Sequence, residues 1–263
     1  MKATTQLEHT TMIKGPSGSL YVTDGGNGTL PVLFLHSFGG SSEHWRAQLD
    51  HVREFTRGIA FDFRGHGGSN PPADNSYTAE SLAADISAVA DHFTLDRFVL
   101  VGHSMGGAAA ICYAGLHPER VAGLVLAGTP GKSEAAMSKP IMESLESPKY
   151  EQVMDQYMKQ LTTGASDARR SMLEADAKKL SRETSVNVIR SMFTFDPLPA
   201  LKRYPGPKLI ISTTREDQQP TSLHNQAPGI PHHAFEGTSH WTMLDRPEEF
   251  NQLLDDFLRD LKP

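Results

Sequence analysis

A serine flanked by glycines is the strongest chemical signal in this chain. Gly102, Ser104 and Gly106 form the pattern Gly-x-Ser-x-Gly, between an apolar run at 98–101 and a small-residue segment at 107–110. A strand that turns sharply into a helix at such a serine lifts the hydroxyl clear of the sheet. The following helix directs its N-terminal dipole towards developing negative charge. The pattern therefore predicts a nucleophile at Ser104; the competing interpretation is an ordinary strand-to-helix turn with a capping serine.

A serine hydroxyl needs a general base, and that base needs a carboxylate to orient it. Among the twelve histidines, His240 is favoured because it follows the last predicted strand and precedes the last predicted helix. Two adjacent carboxylates, Glu216 and Asp217, follow an apolar strand at 209–211. A third carboxylate, Asp245, is interpreted as a residue at the start of a helix rather than as the group that orients the base. Other histidines near these motifs are interpreted as polar loop or core residues: His36, His66, His232 and His233.

Short apolar runs alternate with longer helical patterns over most of the sequence. Buried strands are predicted at 31–35, 58–61, 97–101, 121–126, 208–211 and 233–235. Such alternation predicts the α/β class, with a mostly parallel sheet and helices on both faces. Between 131 and 195 we find helical patterns without a buried strand. The expected organisation is a core of residues 1–130 and 196–263, interrupted by a helical insert at 131–195.

Composition excludes several classes of protein. The 263 residues include 22 glycines and carry a formal net charge of −6, which is typical of a globular protein and unfavourable for nucleic-acid binding. A single cysteine, Cys112, suits a reducing compartment. No window has the apolar length of a membrane span, and the first eleven residues lack the apolar stretch of a signal peptide. We expect a soluble cytoplasmic protein without a membrane partner, and leave its oligomeric state open.

Several motifs, taken together and in chain order, resemble the α/β-hydrolase family. Segment 36–40, His-Ser-Phe-Gly-Gly, resembles its oxyanion loop, and segment 62–69, Asp-Phe-Arg-Gly-His-Gly-Gly-Ser, resembles its D-x-R-G-x-G-x-S turn. The serine motif, an acidic loop and a late histidine follow. The resemblance covers nearly the whole chain and implies an α/β-hydrolase fold, with segment 131–195 as a helical cap over the active site. No metal-binding spacing is present, so we expect neither a metal ion nor another cofactor.

The resemblance also implies roles for particular residues. In this family the catalytic residues occur in the order serine, acid, histidine. The sequence around 217–225 resembles a variant in which Asp217 is the acid, whereas counting from the strand end points to Glu216; we expect Asp217. The backbone N–H groups of Met105 and Phe38 are the expected oxyanion donors.

The expected reaction is hydrolysis of a carboxylic ester or lactone through an acyl-enzyme. Alternatives are C–C bond hydrolysis or cofactor-free perhydrolysis with the same residues, and a non-catalytic ligand receptor. Methionine adapts to irregular apolar ligands, so a methionine-rich insert suggests a small-molecule substrate with a medium-sized apolar acyl or lactone group, although packing between the helices and the core is the favoured interpretation for any single methionine. Six of the ten methionines lie in the insert: Met137, Met142, Met154, Met158, Met172 and Met192.

Overall fold

The computed structural model describes residues 8–261, which form an eight-stranded sheet and eleven helices. The strands are β1 (His9–Lys14), β2 (Ser19–Gly25), β3 (Val32–Leu35), β4 (Gly58–Phe61), β5 (Phe98–His103), β6 (Val121–Ala127), β7 (Lys208–Thr213) and β8 (His232–Phe235). The helices are α1 (Arg46–Val52), α2 (Ala79–His92), α3 (Met105–Leu116), α4 (Ala135–Glu146), α5 (Tyr150–Leu161), α6 (Asp167–Ala177), α7 (Arg182–Thr194), α8 (Pro197–Arg203), α9 (Leu223–Gln226), α10 (Thr242–Asp245) and α11 (Pro247–Arg259). Short 3₁₀ turns occur at Ser42–Trp45 and Glu216–Gln218.

The strand order places the carboxyl ends of β3 and β5 side by side. The sheet runs β1-β2-β4-β3-β5-β6-β7-β8; the β1–β2 and β2–β4 pairs are antiparallel, and the other neighbours are parallel. The chain passes from β3 to β4, which lies on one side of β3 in the sheet, and then to β5, which lies on the other side of β3. Such a switch in direction opens a crevice at the carboxyl ends, where α/β proteins bind ligands. Leu35 pairs with Gly102 across this point.

Apolar runs produce the central strands because both faces of the sheet are covered. Every residue of β3, β4, β5 and β6 is buried. Helix α2 begins at a cap in which the Thr78 hydroxyl accepts a hydrogen bond from the Ser81 N–H at 3.1 Å. Its buried face carries Leu82, Ile86 and Val89, as the periodicity predicts. The predicted α/β architecture is confirmed.

Five helices, α4 to α8, occupy the connection between β6 and β7. Helix α8 was not predicted and packs against α3. Strand β1 was also not predicted. Across residues 8–261, no helix combines the length and apolar character needed to cross a membrane.

Candidate active site

Ser104 lies on a strained turn between β5 and α3. Its φ of 51° and ψ of −110° are unusual for a residue with a side chain. The turn is held by a hydrogen bond from the Ser104 N–H to the Ala127 carbonyl at 2.8 Å. A Cβ at Gly102 would lie 2.6 Å from the Gly106 carbonyl, and a Cβ at Gly106 would lie 2.6 Å from the His36 carbonyl. The two glycines therefore permit the close backbone approach that raises the serine.

His240 reaches the same edge of the sheet from the loop after β8. Its backbone N–H donates to the Leu161 carbonyl at 3.0 Å, and its carbonyl accepts from His103 Nε2 at 3.0 Å. The His103 ring is fully buried, and burial lowers its pKa well below the usual value, so it remains a neutral donor. Gly128 faces the imidazole, since a Cβ there would lie 2.8 Å from His240 Cε1. Contacts on three sides thus fix the position of His240.

Glu216 is the carboxylate that contacts His240. Its Oε1 accepts a hydrogen bond from His240 Nδ1. Its Oε2 accepts from the Thr213 N–H at 2.8 Å, while its own N–H donates to Thr213 Oγ1 at 3.1 Å. A carboxylate on Nδ1 selects the tautomer that carries a proton there, which leaves the lone pair on Nε2 to accept a proton. Thr213, which sequence reasoning missed, aims this carboxylate.

The expectation that Asp217 orients His240 needs correction. Asp217 Oδ1 accepts from Ser212 Oγ at 2.8 Å, and its Oδ2 lies 3.3 Å from His232 Nε2. Glu216 and Asp217 are consecutive in one 3₁₀ turn, so their side chains project in different directions. The geometry pairs His240 with Glu216, the alternative that the sequence left open.

The two expected oxyanion donors lie at the carboxyl ends of β3 and β5. Met105 is the first residue of α3, so its N–H has no acceptor within the helix. Phe38 lies in the loop after β3 and packs its ring against Tyr157, with centroids 6.3 Å apart. His36 stabilises this loop by donating from Nδ1 to the Ser37 carbonyl at 2.7 Å and accepting from the Phe63 N–H at 2.9 Å.

Burial lowers the pKa of His36 to about 3, and that of His66 to about 3. Both imidazoles are therefore neutral at pH 7. His66 donates from Nδ1 to the Arg64 carbonyl at 3.0 Å. Their hydrogen bonds are to backbone atoms of loops, in agreement with the interpretation of both as polar loop or core residues. Within residues 8–261, acidic, histidine and cysteine side chains do not gather into a group that could hold a metal ion.

Ser104, Glu216 and His240 line one cavity of about 500 Å³. This volume is within the usual range for small-molecule sites. Helices α5 and α7 contribute an apolar side to the cavity: Tyr157, Leu161, Ile189, Met192 and Phe193.

Of the six methionines between 131 and 195, Met192 is the one among the lining residues. Met154 and Met158 are buried in the core, whereas Met137 and Met172 are exposed. Most of the methionines of the insert therefore have positions outside the cavity.

Known proteins that resemble the chain have several activities. It is 28% identical over 261 residues to a 2-hydroxymuconate semialdehyde hydrolase of Pseudomonas sp. (strain CF600), covering 90% of this chain and 89% of that protein. It is 27% identical over 245 residues to a dihydrolipoyllysine-residue acetyltransferase component of an acetoin cleaving system from Pseudomonas putida. That match covers 89% of this chain but spans only 65% of the length of the acetyltransferase component.

Solved structures share the fold at low sequence identity. An esterase from Exiguobacterium antarcticum superposes with a TM-score of 0.82 at 22% identity, covering 96% of this chain and all of the esterase chain (100%). An enol-lactonase from Burkholderia xenovorans LB400 superposes with a TM-score of 0.82 at 20% identity, covering 95% of this chain and 100% of the lactonase chain. The model of the alpha/beta hydrolase family matches residues 32–253, which is most of the sequence, and the chain therefore belongs to the alpha/beta hydrolase family.

Proposed function

We propose that the chain is a serine hydrolase of carboxylic esters or lactones that works through an acyl-enzyme. The observation that carries the proposal is the common cavity of Ser104 and His240, in which the imidazole is oriented by Glu216. A raised serine, a base and an orienting carboxylate are the groups that acyl transfer needs. The similarity to an esterase and an enol-lactonase supports the fold on which this chemistry would occur.

In the proposed first half-reaction, Ser104 Oγ attacks the substrate carbonyl while His240 Nε2 takes the hydroxyl proton. The tetrahedral oxyanion accepts hydrogen bonds from the N–H groups of Phe38 and Met105, each worth about 3 kcal/mol in reactions of this type. Collapse of the intermediate breaks the ester C–O bond, and His240 returns the proton to the leaving alkoxide. In the second half-reaction water attacks the acyl-enzyme while His240 takes a proton from the water. Collapse of the second tetrahedral intermediate breaks the acyl–Oγ bond, His240 returns the proton to Ser104 Oγ, and the acid is released.

We further propose that residues 131–195 act as a cap over a core of residues 1–130 and 196–263. Two contacts between this segment and the core support this role, and the first involves Arg215, which lines the cavity. Arg215 Nη1 donates to the Thr163 carbonyl at 2.8 Å, and His44 Nε2 lies 3.1 Å from Asp176 Oδ2. A cap that excludes water would strengthen the electrostatic interactions in the cavity.

C–C bond hydrolysis is the second candidate function. It is favoured by the 28% identity to the 2-hydroxymuconate semialdehyde hydrolase over 90% of this chain. The proposed catalytic residues are the same, so the substrate distinguishes the two functions. A substrate for C–C cleavage needs an electron-withdrawing chain on its leaving carbon, whereas an ester or lactone leaves through oxygen and needs none.

A substrate panel tests the proposal. Wild type and Ser104→Ala would be given p-nitrophenyl acetate, p-nitrophenyl butyrate, a small lactone and a vinylogous diketone. We expect a burst of p-nitrophenol with wild type and none with Ser104→Ala. Unchanged turnover in the variant would remove Ser104 as the nucleophile, and hydrolysis of the diketone alone would favour C–C bond cleavage.

A further inference from the structure

A second group of polar side chains lies beside the catalytic residues. We call Ser212, Asp217, His224 and His232 the polar cluster. Ser212 Oγ donates to Asp217 Oδ1 at 2.8 Å and lies 2.7 Å from His232 Nε2. The rings of His224 and His232 stack with centroids 3.7 Å apart and planes inclined by 13°. Ser212, Asp217 and His224 line the cavity together with Ser104.

The hydrogen bonds within the polar cluster determine which donor and acceptor positions remain free for a ligand. Because the Ser212 hydroxyl donates to Asp217, its oxygen is left to accept from His232 Nε2. A carboxylate has about four acceptor positions, and these neighbours occupy only part of them. The Asp217 side chain is 20% exposed. Acceptor capacity therefore remains for a group in the cavity.

The charge balance favours a hydrogen-bond donor as that group. Burial lowers the pKa of His232 by more than Asp217 raises it, so this imidazole is neutral at pH 7 and adds no positive charge beside Asp217. Arg215 is the one lysine or arginine among the lining residues, and one of its amino groups donates to the Thr163 carbonyl. The lining has two acidic residues, Glu216 and Asp217, against this one basic residue, an imbalance that disfavours an anion.

We propose that Asp217 and its polar cluster form a subsite for a hydrogen-bond-donating group of the substrate, an ammonium or a hydroxyl. This inference rests on the proposed function, because it divides the cavity between the chemistry at Ser104 and recognition at Asp217. The lining of the same cavity also includes apolar side chains such as Leu161 and Met192. The substrate class is therefore an ester or lactone that combines an apolar chain with an ammonium or hydroxyl group.

A binding experiment tests the subsite without requiring hydrolysis. Dissociation constants of hexylammonium, hexan-1-ol and hexanoate would be measured for Ser104→Ala by ligand-observed NMR at pH 7. We expect hexylammonium to bind about tenfold more tightly than hexanoate, with hexan-1-ol between them, because a charged hydrogen bond adds about this much at a partly exposed site. Adding Asp217→Asn should reduce the ratio to about twofold.

The matched control is Asp96→Asn in the same background. Asp96 is exposed and precedes β5, at the opposite end of the strands from the cavity. This variant makes the same charge change and should keep the tenfold ratio. Equal binding of hexylammonium and hexanoate, or a ratio that Asp217→Asn leaves unchanged, would overturn the subsite.

Matched substrates extend the test to catalysis. Methyl 6-aminohexanoate, methyl heptanoate and monomethyl pimelate have chains of similar length that end in a cation, a methyl group and an anion. Wild type should show a kcat/KM about tenfold higher for the amino ester than for the pimelate, and Asp217→Asn should remove this preference. Failure of the proposed function would instead appear as absent hydrolysis of all three esters, while the binding ratio would still report on the subsite.

Discussion

Replacing Glu216 by glutamine should abolish most of the activity without unfolding the protein. Glu216 must accept two hydrogen bonds, one from His240 Nδ1 and one from the Thr213 N–H at 2.8 Å. Glutamine offers only one acceptor oxygen, and its amide group donates. Either the Thr213 N–H loses its partner, or His240 faces an N–H group and adopts the tautomer with its proton on Nε2. That tautomer cannot take the proton of Ser104.

The size of the effect follows from these losses. A hydrogen bond to a charged group contributes about 1.5–3 kcal/mol, and the unfavourable tautomer adds a comparable penalty. A total of about 4–5 kcal/mol corresponds to a loss of about 10³–10⁴-fold in kcat. Asp217→Asn should reduce kcat for a neutral ester by at most about tenfold, because its carboxylate contacts Ser212 and His232 instead.

The assay is steady-state hydrolysis of p-nitrophenyl butyrate by wild type and both variants, with thermal melting as the control for folding. A loss of 10³-fold or more for Asp217→Asn, combined with a small loss for Glu216→Gln, would refute the assignment of Glu216. So would equal small losses in both variants.

Three further outcomes follow from the structure. Gly128→Ala should lower kcat by about 100-fold, because the new Cβ would lie 2.8 Å from His240 Cε1 in a backbone with φ of 52°; wild-type kinetics would contradict this reasoning. The free energy of unfolding, measured with urea, should fall by about 5 kcal/mol between pH 6.5 and pH 5, because unfolded His36, His66 and His103 take up protons near pH 6.5 whereas the buried folded imidazoles do so only at much lower pH; a flat profile would argue against neutral buried imidazoles. Met192→Ala should reduce kcat/KM for p-nitrophenyl hexanoate about tenfold more than for the acetate, since it removes part of the apolar side of the cavity; equal effects on both esters would place the acyl chain elsewhere.

The sequence predicts the central sheet well because its strands are buried on both faces. Continuous apolar runs mark β3 to β6, and all of their residues are buried. Strand β1 was missed since only Ile13 of its six residues is buried, so no apolar pattern marks it. Helix α8 was missed because it is short and contains Pro197 and Pro199, which are read as turn signals.

Sequence reasoning predicted Ser104 and His240, which the structure brings to one cavity, and preferred Asp217 over Glu216, whereas Glu216 is the carboxylate in contact with His240. Motifs report spacing along the chain, whereas the choice between Glu216 and Asp217 depends on the direction of each side chain within one turn. Local hydrogen bonds set those directions: the Thr213 N–H holds Glu216, and the Ser212 hydroxyl holds Asp217. Counting from the strand end pointed to Glu216 and the motif resemblance to Asp217, so spacing alone did not decide between them. The polar cluster was equally hidden, since the fold brings β7, β8 and α9 together.

The most direct test of the account is covalent labelling of the proposed nucleophile. Wild-type protein would be treated with a fluorophosphonate, and the modified peptide would be identified by mass spectrometry. The account predicts one adduct per chain on Ser104, loss of esterase activity in step with labelling, and no adduct with Ser104→Ala. Stoichiometric labelling of another residue, or full activity after complete modification of Ser104, would contradict it.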